Sequence, residues 1–155
     1  VQNLVLKVGS TMKSKLFKSE KTYIGQSKTH GYGVFCSQDI KKGELIEECY
    51  YLIPDKSKWQ DLDATFLKYF FAIPCLQDDH EEFADKNGGV NIGHITRPVC
   101  VLGSGMIFNH SQNANVDYTY FEPSQTFCYR ANRLIKSGSE LFIKYSEYSE
   151  FKNDK

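Results

Sequence analysis

No stretch of this 155-residue chain approaches the roughly 20 consecutive apolar residues that a membrane-spanning helix needs. Leu4-Val5-Leu6 is interrupted by Lys7, so the first residues do not read as the apolar region of a secretion signal. An excess of one charge is lacking too, because nineteen Lys and Arg balance nineteen Asp and Glu. Nonspecific binding to a duplex rests on surplus cations that neutralise phosphates, so no direct contact with nucleic acid is expected. Cysteine occurs five times, at Cys36, Cys49, Cys75, Cys100 and Cys128, but never as C-x-x-C or C-x-C, and the four histidines share no ligand spacing. No metal site is therefore expected. An odd number of scattered cysteines suits buried thiols in a reducing compartment. The expectation is a soluble intracellular protein, cytoplasmic or nuclear, without a membrane partner.

What is present suits one domain with a true core. Charge is uneven along it: residues 1–28 carry Lys7, Lys13, Lys15, Lys18, Lys21 and Lys28 against Glu20 alone, whereas Asp78-Asp79-His80-Glu81-Glu82 with Asp85 is acidic. Both read as solvated surface, and the acidic stretch also suits attraction of a basic protein segment. Residues 1–21 read as an amino-terminal arm or an extra strand. From Tyr23 the texture is β-rich, with a strand at Val34-Phe35-Cys36 and a long one from Leu45 to Ile53, stopped by Pro54. The pattern predicts one main helix from Leu62 to Ala72, capped by Asp61 or Asp63, with Leu62, Phe66, Leu67, Phe70 and Phe71 as its apolar stripe. Residues 77–98 are polar and irregular. Further strands are predicted near Pro98–Leu102, Val116–Phe121, Thr126–Ala131 and Leu141–Lys144, with a turn at Pro123-Ser124-Gln125. Many short strands, one helix and frequent turns predict a mostly β single domain.

Three short stretches stand out in fixed order. Gly31-Tyr32-Gly33-Val34-Phe35 pairs glycines that permit unusual backbone angles and close approach to the main chain. Alone it reads by default as a structural hairpin turn. Asn109-His110-Ser111, with Asn115 following, is a polar turn whose histidine is either satisfied or catalytic without an evident partner. Glu140-Leu141-Phe142-Ile143-Lys144-Tyr145 is a strand ending in a tyrosine.

Together these stretches resemble the signature of SET-domain protein lysine methyltransferases, over roughly Tyr23 to Tyr148. Ile40-Lys41-Lys42-Gly43-Glu44-Leu45-Ile46 continues the likeness after the first stretch. The chain resembles small stand-alone SET domains, such as those of large DNA viruses. The resemblance implies several short curved sheets with a pseudoknot near the carboxyl end, and a domain over residues 22–149. It also implies an insert at about 54–98, carrying the helix, and a tail at 150–155. The implied cofactor is S-adenosylmethionine, held by Gly31, Tyr32, Gly33, Asn109 and His110. Tyr145 is the implied catalytic tyrosine; Tyr118 is either a second channel tyrosine or a buried strand aromatic, Tyr69 either packs in the core or faces the substrate lysine, and Tyr148 stands near the substrate-facing aromatic position that limits methylation number. Ala114 replaces the family's usual proline and Lys144 its usual aspartate. The family's cysteine-rich carboxyl tail has no counterpart in residues 146–155. Closure of the channel then falls to aromatics such as Tyr148 and Phe151, to the arm, or to the second subunit of a homodimer.

The implied activity is methyl transfer from S-adenosylmethionine to a lysine in a basic protein such as a histone tail. The departures at Ala114 and Lys144 leave open a SET-like module that binds a basic peptide without catalysis. A hydrolase using His110 with Cys36 or Cys128 lacks any supporting nucleophile context.

Overall fold

The computed structural model describes residues 13–74 and 96–145. The acidic stretch 78–85, most of the predicted irregular insert, Tyr148 and Phe151 lie outside the described residues. Among the described residues nine strands form two sheets. They are β1 (Thr22–Gln26), β2 (Tyr32–Cys36), β3 (Leu45–Leu52), β4 (Phe71–Pro74), β5 (Thr96–Val101), β6 (Asn109–His110), β7 (Val116–Phe121), β8 (Thr126–Ala131) and β9 (Glu140–Ile143). One sheet has the order β1-β2-β9-β6 and the other β4-β5-β3-β8-β7. This is the mostly β architecture the sequence predicts, and β7 and β8 carry the predicted bounds.

Alternation along the strands explains the core. In β8 Thr126, Phe127, Tyr129 and Ala131 are buried, while Arg130 is exposed, and β3 alternates similarly through Cys49 and Tyr51. Phe127 meets Tyr51 edge-on at 5.4 Å and Phe71 at 5.0 Å. The smaller sheet adds Val34, Cys36, Leu141 and Ile143 to the same cluster. Turns between strands use the chemistry their positions require: Gln125 sits in the left-handed region, φ 50°, after a 3-10 turn over Glu122–Ser124.

The predicted helix is much shorter. A single α-helical turn, α1 (Ala64–Leu67), follows a 3-10 turn over Lys56–Asp61. Asp63 caps it by accepting from the Thr65 amide at 2.8 Å. The backbone then tightens, with Tyr69 and Phe70 amides bonding Phe66 and Leu67 carbonyls, and Phe71 enters β4 instead of continuing the helix. The cause is tertiary: β4 pairs with β5 in register Phe71↔Val99 through Pro74↔Thr96, which buries Phe71 among core aromatics. A local helical pattern loses to that pairing.

At the amino-terminal end, residues 17–19 lie along β3: the Ser19 amide bonds the Ile46 carbonyl and the Glu48 amide bonds the Phe17 carbonyl, each at 2.8 Å. These contacts amount to an isolated antiparallel bridge, Lys18↔Glu47, outside the named strands.

The topology turns on β9. It pairs antiparallel with β2 and parallel with β6, so it lies between two segments far away in sequence. Asn115 seals the crossing. Its Nδ2 donates to the Glu140 carbonyl at 2.9 Å, and its Oδ1 accepts from the Phe142 amide at 2.8 Å, so a side chain supplies what a neighbouring strand would. Asn115 is buried, and so its loss leaves two backbone groups of β9 without partners. Replacing it with alanine is expected to cost about 2–4 kcal/mol, from two lost bonds to buried groups. Urea denaturation of the Asn115→Ala variant measures this, with Asn132→Ala as a neighbouring control of smaller effect.

Candidate functional site

The crossing brings the three sequence stretches together. The β1–β2 hairpin loop, residues 27–31, closes on itself through the Ser27 amide and Gly31 carbonyl at 2.8 Å. Asn109 lies beneath it, buried, and its Nδ2 faces three acceptors. These are the His30 carbonyl at 3.2 Å, the Tyr32 carbonyl at 3.1 Å and Glu140 Oε1 at 2.8 Å. The other carboxylate oxygen, Glu140 Oε2, accepts from Ser27 Oγ at 2.9 Å, and that hydroxyl oxygen accepts from the Thr29 amide at 2.9 Å. One asparagine and one glutamate thus tie the glycine loop to β6 and β9.

The two glycines have different tasks. Gly31 takes φ +49° in the turn, whereas Gly33 provides clearance. A β-carbon at Gly33 would overlap Glu140 Oε1 and approach Asn109 Nδ2 to 3.1 Å. Gly33 therefore shapes the loop from below and lines neither of the cavities described next.

A cavity of about 740 Å3 opens over this framework. Gly31 and Tyr32 line one side, Met106, Ile107 and Phe108 another, and Phe66 of α1 a third. A second cavity, of about 680 Å3, takes in Thr29, Lys68 and His110. The two share His30, Thr65, Tyr69, Asn109 and Tyr145. The first is mostly apolar and the second richer in polar groups, so together they suit a ligand with both kinds of surface.

Tyr145 stands where they meet, pinned at both ends. Its amide donates to His110 Nδ1 at 2.9 Å, and its hydroxyl donates to the Phe108 carbonyl at 2.8 Å. Because Nδ1 accepts, the proton of the neutral His110 ring sits on Nε2. The two rings lie 5.0 Å apart. Burial, with a smaller contribution from Tyr69, pushes the Tyr145 hydroxyl up to about 12. It is therefore a neutral hydroxyl at any physiological pH.

Of the residues singled out in the sequence, Gly31, Tyr32, Tyr69, Asn109, His110 and Tyr145 come together around the cavities. Tyr118 does not reach them. The pairing Tyr118↔Tyr129 in β7–β8 sets its ring among Phe71, Phe127 and Tyr129, at 5.3, 5.8 and 5.9 Å. Sequence reasoning missed Ile24, Thr65, Phe66, Lys68, Met106 and Ile107. The only signal for Phe66 was its place in an apolar stripe, which read as core; it is exposed and faces the cavity. Among the described residues no three His, Cys, Asp or Glu side chains gather into a metal site.

The model of the SET-domain family matches residues 31–146. No curated protein matches by sequence. Among solved structures, the chain is similar to a Plasmodium falciparum protein provisionally designated a histone methyltransferase. The match has 22% identity and a TM-score of 0.54, and covers 83% of this chain and 96% of that one. At this identity the likeness concerns the fold.

Gly33→Ala should cost about 2–3 kcal/mol by overpacking against the Glu140 carboxylate. In a Glu140→Ala background the same change should cost under about 1 kcal/mol, since the clash is gone. Denaturation of the two singles and the double measures the coupling.

Proposed function

The chain belongs to the SET-domain family, and from that premise we propose that it is an S-adenosylmethionine-dependent protein lysine N-methyltransferase. The observation that carries the reading is Tyr145: a neutral hydroxyl, on a residue anchored through both its amide and that hydroxyl, at the junction of two cavities and beside both the glycine loop and the Asn109-His110 pair.

The residues present fit the cofactor. The glycine loop offers backbone groups, His110 and Thr29 offer polar contacts, and Tyr32, Phe66 and Tyr69 offer faces that accept a flat ring or a cation. Gly31, Tyr32, Asn109 and His110 would hold it, with Gly33 and Glu140 keeping the loop in shape. Bound there, S-adenosylmethionine would supply an electrophilic methyl group on a sulfonium for transfer to an unprotonated lysine amine, with a neutral thioether as the leaving group.

This chain's residues align and desolvate. The Tyr145 hydroxyl already donates to the Phe108 carbonyl, so its oxygen lone pairs are the part open to an incoming amine or a polarised methyl group. The Phe108 carbonyl, fixed by that bond, is placed to accept weak C–H···O contacts. Apolar walls at Ile107, Phe108 and Met106 disfavour an ammonium, whose ordinary pKa is about 10.4, and so favour the neutral amine. Alignment and desolvation supply the rate, without a strong general base.

The substrate we propose is a lysine in a basic protein such as a histone tail. The acidic run at 78–85 and its long-range attraction for cations support this. The free thiols Cys36, Cys49, Cys100 and Cys128 accord with a reducing compartment, cytoplasmic or nuclear.

Labelled S-adenosylmethionine with core histones or a lysate, followed by mapping of methylated lysines, tests the proposal. Tyr145→Phe should lower kcat by about 100-fold, the loss expected of one preorganised polar group, with cofactor affinity within about threefold. Equal turnover in the two proteins would overturn the assignment. Cofactor binding without any methyl incorporation would favour a peptide-binding module instead. The pH profile is a second check. Turnover should rise from pH 7 to 9 as more substrate lysine becomes neutral, with no descending limb from Tyr145, whose hydroxyl stays protonated to about 12.

A further inference from the structure

We infer that Glu47, held by Lys18 of the amino-terminal arm, is a positioning residue for the cavity wall at Gly103–Met106, which makes the arm a working part of the site. The inference rests on the methyl-transfer reading above for its kinetic consequence, though not for its geometry.

Glu47 is a carboxylate inside a sheet, only 5% exposed, a placement that is unfavourable unless its oxygens do something specific. One of them does. Oε1 accepts from the Ser104 amide at 3.2 Å. That amide opens the 3-10 turn Gly103–Met106, whose own cap residue, Leu102, makes no side-chain capping bond. Glu47 therefore caps the turn from a different strand. The fit is close: a β-carbon at Gly103 would stand 2.6 Å from Glu47 Oε1, and one at Gly105 would stand 2.4 Å from Val101 Cγ1 and 2.8 Å from the Tyr129 hydroxyl oxygen. The turn packs closely on side chains of β3, β5 and β8, and Glu47 of β3 bonds its backbone.

The arm completes the seat. Residues 17–19 lie along β3, bridging Lys18 to Glu47, and the Phe17 amide also bonds Glu48 Oε2 at 3.1 Å. Lys18 Nζ then lies 3.9 Å from Glu47 Oε1 and 3.5 Å from Ser104 Oγ. It compensates the buried carboxylate and touches the turn itself.

The turn leads directly to the chemistry. Gly103 and Met106 line the larger cavity, and two residues later the Phe108 carbonyl receives the Tyr145 hydroxyl. A turn that rocks on a missing cap moves the wall and that carbonyl together.

The test compares Glu47→Leu, which fills the space without an acceptor, with Glu47→Gln, which keeps the acceptor, and Lys18→Met. Amide exchange at Ser104 by NMR and steady-state kinetics are read on each full-length variant. Glu47→Leu should speed Ser104 exchange and lower kcat, each by about tenfold, the loss expected of one buried capping bond. Glu47→Gln should restore both to within about threefold, which a general packing defect would not allow. Lys18→Met should lie between them. Wild-type exchange and turnover in a folded Glu47→Leu protein would overturn the inference, as would a Glu47→Gln variant no better than Glu47→Leu. Should Glu47→Leu not fold, the same readouts on Glu47→Gln and Lys18→Met decide: a Lys18→Met protein at wild-type values overturns it. Wild-type protein that neither binds S-adenosylmethionine nor transfers methyl would sink the methyl-transfer reading alone, since Ser104 exchange reports the wall without it.

Discussion

The contact between Asn109 and Glu140 is the constraint on which the site depends. Each residue reaches across more than one element. Asn109 holds two carbonyls of the glycine loop, while Glu140 holds Asn109 with one oxygen and Ser27 with the other. The pair is mostly buried, where hydrogen bonds to a charged group are stronger and an unmade one is costly. It is also what forces Gly33, because any β-carbon there meets the carboxylate. Loop, crossing strand and carboxyl-terminal tyrosine therefore take up their positions as a single unit.

That unit explains how so short a domain presents a rigid tyrosine. Tyr145 lies two residues beyond the last residue of β9, outside the regular pairing of the sheet. Here the His110 ring takes its amide and the Phe108 carbonyl takes its hydroxyl, so β6 and the residue just before it fix both ends of Tyr145. β6 is only two residues long and could not be stable alone; parallel pairing with β9 keeps it in place, and the Asn115 side chain in turn holds the Glu140 carbonyl and Phe142 amide of β9. Rigidity at the site is thus a property of the crossing, and the departures at Ala114 and Lys144 do not remove any of these bonds. Lys144 is exposed, and the Ala114 carbonyl accepts from Asn132 and Arg133, which brace the loop that a proline would stiffen.

The strands were legible in the sequence because alternating burial leaves a period of two: β7 and β8 coincide with the predicted ranges, and β3 differs by its last residue. The helix was not, because the run from Leu62 to Ala72 carries a helical stripe of apolar residues that serve different surroundings. Phe71 belongs to the core through β4, and Phe66 belongs to the cavity rim. The surroundings of Tyr118 were not legible for a related reason. Its distance from Asn115 in sequence says nothing about which face of β7 it occupies, and the pairing with β8 turns it to the aromatic core.

The sequence by itself determined the class of fold and marked residues that gather around the cavities, since a mostly β texture and three ordered stretches are local properties that survive being read one after another. The tertiary structure alone decided what those residues do for each other. That Gly33 clears space for a carboxylate 107 positions later, that Asn115 stands in for a strand, and that Glu47 caps a turn from across a sheet all depend on long-range pairing. Backbone groups take whichever partner the fold brings near, and no local pattern records that partner.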